Sequence, residues 1–239
     1  MRNYFTLDGT DSRTFGLFLS GQGTFGSPSR AVEFISVPGR DGDLVGMSTR
    51  LENGVYTYRD AFIYQNFDTN MAALRAFLLS KTGYCRLTDT YHPDEYRMAI
   101  FAGPLEPNVV RTNGAACFDL EFQAKPQRFL LSGETEVTKT STGTITNPTR
   151  FPSKPLLVVT TTRATASVLG VGSTNITLTR QGVTYIDCET GRAYNGATSY
   201  DSKIALSTID FPTLAPGSNG ISLGAGISKV VITPRWWEL

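Results

Sequence analysis

The sequence predicts a mostly β protein with one short helix, arranged as two domains. Glycine (23 residues), proline (12) and frequent threonine interrupt the 239-residue chain at short intervals. The segments between them are rich in Val, Ile, Thr, Tyr and Phe, which suit a pleated, half-buried surface. A single stretch carries helical periodicity instead. Aromatic residues are dense up to Leu131 and sparse beyond it. The expected domains are residues 1–131 and 132–239.

The elements follow in order. Phe15–Leu19 and Ala31–Val37 read as strands. Asp41-Gly42 then reads as a type I′ turn, in which both central residues need positive φ. Val55–Gln65 is a long aromatic strand. The helix is expected over 69–81: Met71, Leu74 and Leu78 fall at i, i+3 and i+7 on one face. Asp68 or Thr69 would cap its start and Gly83 would stop it. Tyr84–Leu87, Tyr96–Phe101 and Cys117–Phe122 read as three more strands. In the last, Asp119 and Glu121 alternate with Phe118, Leu120 and Phe122, the pattern of a strand buried on one face. Residues 132–151 are rich in Thr, Ser and Gly and are placed inside the second domain. Seven short strands follow: 156–160, 167–169, 176–180, 183–187, 203–207, 220–223 and 229–233. That density predicts a sandwich or jelly roll.

Composition narrows the function. Charged residues make up 18% and apolar residues 40%, a balance opposite to that of a disordered chain. The net charge of +1 argues against a dedicated nucleic-acid binder. No apolar run approaches the length of a membrane span, and the opening residues lack an apolar signal core, which disfavours that route of secretion. Cys85, Cys117 and Cys188 are far apart, without metal-binding spacing, and are expected to be reduced and buried.

Motifs that carry chemistry are weak. Gly21-Gln22-Gly23-Thr24-Phe25-Gly26 matches G-x-G-x-x-G, but no helix opens after it to meet a phosphate, so an inter-strand loop is expected. His92 is the only histidine, in a polar turn before Pro93, and reads as an exposed loop residue. Asp8-Gly9-Thr10-Asp11 and Asp41-Gly42-Asp43 lack the spacing of a calcium loop, and turn chemistry explains both. Trp236, Trp237, Tyr194 and Tyr200 are candidates for stacking on sugars. No catalytic residue, metal site or cofactor is assigned.

Several segments together resemble the distal tail protein (Dit) family of long-tailed phages. In the first half these are Phe15-Gly16-Leu17, Val37-Pro38-Gly39-Arg40-Asp41-Gly42-Asp43-Leu44 and Phe122-Gln123-Ala124-Lys125-Pro126-Gln127-Arg128-Phe129. In the second they are Ile145–Pro148 with Pro155-Leu156, Tyr185–Glu189, Phe211–Asn219 and Val231–Trp236. The resemblance implies a structural protein, not an enzyme. It implies an N-terminal split-barrel domain with a β-hairpin belt, and a C-terminal galectin-like β-sandwich. It implies a homo-hexameric ring at the phage tail tip, assembled in the bacterial cytoplasm. That ring would join the tail tube protein to the tail-associated hub protein (tail fibre or lysin), and in some phages to a receptor-binding protein. DNA would pass through the channel without specific binding.

The belt is expected to run from Val37 to Phe62 and to cross to the neighbouring subunit, with Arg40, Asp41 and Asp43 making polar contacts there. Residues 45–54 lack a core pattern, and an isolated hairpin is marginal in water, so a partner chain would stabilise it. The alternatives are a carbohydrate-binding module that recognises the host cell wall, and an enzyme with an unrecognised site.

Overall fold

A computed structural model describes residues 2–21, 26–63, 65–110 and 115–239, with backbone only at 47–49, 109–110 and 115. The chain is mostly β with one α-helix, and divides into two compact units: residues 1–128 with Leu239, and residues 129–238.

The first unit contains β1 (Phe5–Leu7), β2 (Thr10–Asp11), β3 (Leu17–Leu19), β4 (Arg30–Ile35), β5 (Leu44–Leu51) and β6 (Gly54–Ile63). Helix α1 (Phe67–Leu79), β7 (Cys85–Asp89), β8 (Glu95–Phe101), β9 (Asn108–Val110) and β10 (Ala115–Leu130) follow. Its main sheet has the order β2-β1-β7-β8-β10-β6-β3, with β9 added on β10. At one edge, the Leu19 amide donates to the Asn3 carbonyl at 2.9 Å, just before β1. The sheet therefore curls back toward its own first strand, as a split barrel does. Phe5, Tyr58 and Phe122 meet inside the curl, with ring centroids 5.5–6.0 Å apart.

Helix α1 buries Met71, Leu74 and Leu78 in this core, the face that the spacing predicts. Its ends differ from expectation. Asn66 is the N-cap, in left-handed backbone and without a side-chain cap bond, so Asp68 and Thr69 lie inside the first turn. The C-cap is Ser80, whose hydroxyl donates to the Phe77 carbonyl at 2.8 Å; the helix ends before Gly83 is reached. Asp8-Gly9 forms the turn that its chemistry predicts. Asp8 and Gly9 have φ of 50° and 79° and close β1 onto β2 with Leu7 opposite Thr10, a type I′ arrangement.

The second unit contains β11 (Val137–Lys139), β12 (Gly143–Asn147), β13 (Leu156–Thr161), β14 (Ser167–Val171), β15 (Thr174–Leu178) and β16 (Gly182–Asp187). Then come β17 (Arg192–Asn195), β18 (Thr198–Ser199), β19 (Ile204–Leu206), β20 (Gly217–Leu223), β21 (Ile227–Thr233) and β22 (Trp237–Glu238). Two sheets, β11-β21-β13-β16-β17-β18 and β12-β20-β14-β15-β19, form a sandwich. Leu157, Val159, Ile186 and Ile232 of one sheet and Leu169, Ile176 and Ile221 of the other are buried between them. All seven expected strands are present; β11, β12, β17 and β18 were too short or too polar to stand out. Only glycine fits at 133, where a Cβ would collide with the Trp236 amide nitrogen.

Arg235 closes this unit by pairing with Asp187, Nη1 to Oδ1 at 2.7 Å. Burial alone would raise the Asp187 pKa, but the Arg235 guanidinium and the Glu189 amide hold it below the usual carboxylate range.

Two outcomes are expected. Leu74→Ala should cost about 2–5 kcal/mol of unfolding free energy in urea, because it empties a fully buried site. The Asp187 pair should contribute stability above the ordinary carboxylate pKa of about 4 and lose it as pH falls through the lowered folded value. Arg235→Gln should therefore flatten the acid limb of the second unit's melting temperature against pH.

Candidate subunit interface

Strands β4 and β5 form a two-stranded sheet of their own. The register pairs Val32 with Met47, Glu33 with Gly46, Phe34 with Val45 and Ile35 with Leu44. The base is tied by the Glu52 amide donating to the Ser29 carbonyl and the Ser29 hydroxyl to the Glu52 carboxylate, each at 2.9 Å. At the far end, the Arg40 amide donates to the Val37 carbonyl at 3.2 Å. Pro38 and Gly39, with Gly39 at φ 78°, occupy the central positions of a type II turn. The tip is thus a longer loop built on Pro38-Gly39. Asp41 does not adopt positive φ, so the expected type I′ turn at Asp41-Gly42 is absent.

Both faces of this hairpin are apolar and uncovered. Val32, Phe34 (68% exposed) and Val45 (51%) lie on one face, and Ile35 and Leu44 on the other. Sequence reasoning missed these side chains as site residues, although a signal was present. From Ala31 to Val37 only Glu33 and Ser36 are polar, so the run reads as a strand covered on both faces. Nothing among the described residues covers it.

The predicted belt residues separate in the structure. Arg40, Asp41 and Asp43 are exposed on the tip loop, and Val37 is half-buried at its start. Phe62 does not belong to the hairpin. It lies in β6, paired with Cys117 of β10 and Phe18 of β3, and its ring stacks on Phe18 at 5.8 Å. The hairpin spans 30–51, beginning and ending earlier than the expected 37–62, because the aromatic run from Val55 belongs to the core sheet.

Other candidates resolve as follows. His92 is not an exposed loop residue: its side chain is 13% exposed, with Nδ1 3.1 Å from the Tyr56 hydroxyl and 3.3 Å from Asp89. Asp89 Oδ2 accepts from the hydroxyls of Tyr56 (3.1 Å) and Tyr58 (2.7 Å). Its Oδ1 accepts from the amides of Tyr91 (2.9 Å) and His92 (2.8 Å). Burial raises both tyrosine pKa values far above the usual range, and the Asp89 charge adds to it. The space beside this cluster is about 10 Å³, room for about one water and not for a substrate. Residues 22–25 of the G-x-G-x-x-G match lie outside the described residues, and β4, not a helix, follows Gly26. Asp8 pairs with Lys81 and Asp11 with Arg13, and no metal-binding group of three or more His, Cys, Asp or Glu occurs among the described residues.

Of the aromatic residues, Trp236 is buried. Trp237 stacks on Phe151 at 4.7 Å, and its indole N–H donates to the Pro152 carbonyl. Tyr200 lies under the Arg180 guanidinium at 3.9 Å. Tyr194 stacks on Tyr185 at 5.6 Å. They do not assemble into one platform. Cys188 is buried, which pushes its thiol up to about 12, but Cys85 is half-buried and Cys117 exposed, against expectation. Cys117 shares the outward face of β10 with Asp119 and Glu121.

No protein-family model matches the chain, and no curated protein matches it significantly. Among solved structures it is similar to the Dit (gp 19.1) protein of phage SPP1, described as a paradigm of the hub adsorption apparatus in phages that infect Gram-positive bacteria. The TM-score is 0.76 at 16% identity, covering 100% of both chains. The chain has the Dit fold. A second match, at TM-score 0.49 and 11% identity over 97% of this chain and 98% of the other, is to the phage P2 baseplate in its activated conformation with Ca. Because it covers the whole chain, the likeness takes in the curled sheet, the separate hairpin and the terminal sandwich.

Asp89→Asn should cost about 2 kcal/mol in urea unfolding, since it removes the charge that two tyrosine hydroxyls and two backbone amides share. A change under about 0.5 kcal/mol would show that the cluster does not stabilise the sheet.

Proposed function

We propose that the chain is a distal tail protein: a structural, non-enzymatic component of a phage tail tip that closes into a homo-hexameric ring. Its two compact units are the ring-forming domain and an outward galectin-like domain. The ring joins the tail tube to the tail-associated hub protein, and docks a receptor-binding protein in phages that carry one. It is assembled in the bacterial cytoplasm and resides in the virion.

One observation carries this reading: a chain with the Dit fold holds five large apolar side chains uncovered on a free-standing hairpin. A two-stranded hairpin is marginal alone, and its open edges invite pairing. Covering it with a second copy resolves both problems. The near-neutral charge, +1 over the chain, suits a ring through which DNA must pass without being retained by its phosphates.

Light scattering and negative-stain imaging test it. The expected mass is about 156 kDa, six times the 26.0 kDa chain, with six-fold rings. Replacing residues 30–51 with a two-glycine turn between Ser29 and Glu52 should leave a folded monomer, because this cut spares β6, which begins at Gly54. A hexamer that persists without the hairpin would refute its role. A wild-type chain that stays monomeric at all concentrations would refute the ring.

A further inference from the structure

A closed ring needs two different patches per subunit, one for each neighbour. Eight large apolar side chains are exposed among the described residues of the first unit, and five of them are on the hairpin. The other three are Val55, Leu79 and Tyr84.

Val55 and Tyr84 belong to one patch. Val55, 51% exposed, pairs with Gln123 on the outer face of β6 and β10. Two residues further along that face of β10, the Lys125 ammonium lies 5.2 Å from the Tyr84 ring centroid. The Asn53 side-chain amide donates to the Tyr84 hydroxyl and holds the ring in place. Val55 and Lys125 also line one shallow depression with Pro126. Leu79 is the last residue of α1. The patch therefore sets two apolar side chains beside a cationic rim, where Lys125 and Arg97 line the same depression.

One hairpin face has the complementary character. Ile35 and Leu44 lie opposite each other, and Glu33 is the one acid beside them. Its cross-strand partner is Gly46, which presents no side chain. Neither Glu33 nor Lys125 has an ion-pair partner among the described residues. Both patches are exposed in the same molecule, so neither covers the other within the chain.

We propose that the Glu33–Ile35–Leu44 face of the hairpin seats on the Val55–Tyr84 patch of the next copy, with Glu33 pairing to Lys125. This rests on the ring reading above and names the surface that receives the arm. The occupant is a second copy of this chain. A heterologous contact requires two unlike patches, and these two match in apolar character and oppose in charge.

The test is a charge swap in the full-length chain, read by sedimentation across a concentration series. Glu33→Lys and Lys125→Glu should each weaken assembly about tenfold or more, since each sets like charges face to face. The double variant should recover most of that loss. Val55→Asp should weaken assembly without a partner that rescues it. Melting temperatures should stay near wild type for Glu33→Lys and Val55→Asp, which are exposed; Lys125 is half-buried against Tyr84, so its variant is read by rescue in the double variant. Single variants that assemble like wild type, or a double variant no better than the singles, would overturn the docking proposal while leaving the ring intact. A wild-type chain without rings would overturn both. Failure of the hairpin deletion alone to abolish rings would point instead to an interface elsewhere on the first unit.

Discussion

The first unit depends on where strand β6 is fixed, and the buried Asp89 carboxylate fixes it. Two hydroxyls from β6 and two amides from the turn after β7 converge on one side chain. β6 and β7 are not neighbours in the sheet, whose order places β8 and β10 between them. The carboxylate therefore ties the sheet across the inside of its curl, where the ladder hydrogen bonds cannot reach. Buried charge of this kind costs desolvation, and it is tolerable here because each oxygen collects two donors. The hairpin ends two residues before β6 begins. Whatever holds β6 also aims the hairpin.

A second constraint acts along the same strand. Tyr56 and Tyr58 point inward at even positions, but Ala61 and Ile63 point inward at odd ones. A strand with strict period two cannot do both. The change is made by a bulge: Ala61 pairs with Phe118 and Tyr58 with Leu120, so two residues of β6 face Asp119 alone. Asp60 takes φ of 52° there, its amide donates to the Asp119 carboxylate at 3.1 Å, and its carbonyl accepts from the Ser20 hydroxyl at 2.6 Å. The bulge turns the strand so that its start faces the Asp89 cluster and its end faces β3. A curled sheet needs such a change of direction, and a flat one does not.

These devices explain what was legible in the sequence. Features set by local periodicity could be read: the buried face of α1, the alternation in β10, and the longer sandwich strands. Features set by a distant partner could not. Asn66, Asp68 and Thr69 are all residue types that cap helices, and Asn66 takes the position without a side-chain cap bond, so capping chemistry alone does not choose between them. Asp8-Gly9 and Asp41-Gly42 carry the same turn signal, yet only the first becomes a type I′ turn. The second lost to Pro38-Gly39, whose preset φ and positive-φ glycine already reverse the chain. His92 was misread for a similar reason. Its sequence neighbours are polar, but the residues that bury it come from β6, more than thirty positions away.

The candidate interface was the least legible part, and the reason is physical. A catalytic site announces itself through residue types whose chemistry is rare elsewhere. A subunit interface is made of the same Val, Ile, Leu and Phe as a core, so its sequence reads as a core strand. Only the structure separates the two, by showing which apolar runs are left without cover. Ala31–Val37 and Leu157–Thr161 look alike as sequence; the second is enclosed within its own sandwich and the first is not. An uncovered strand of core composition is an unfinished core. In the assembly proposed above another copy completes it, because each copy would bring both the arm that needs covering and the patch proposed to receive it.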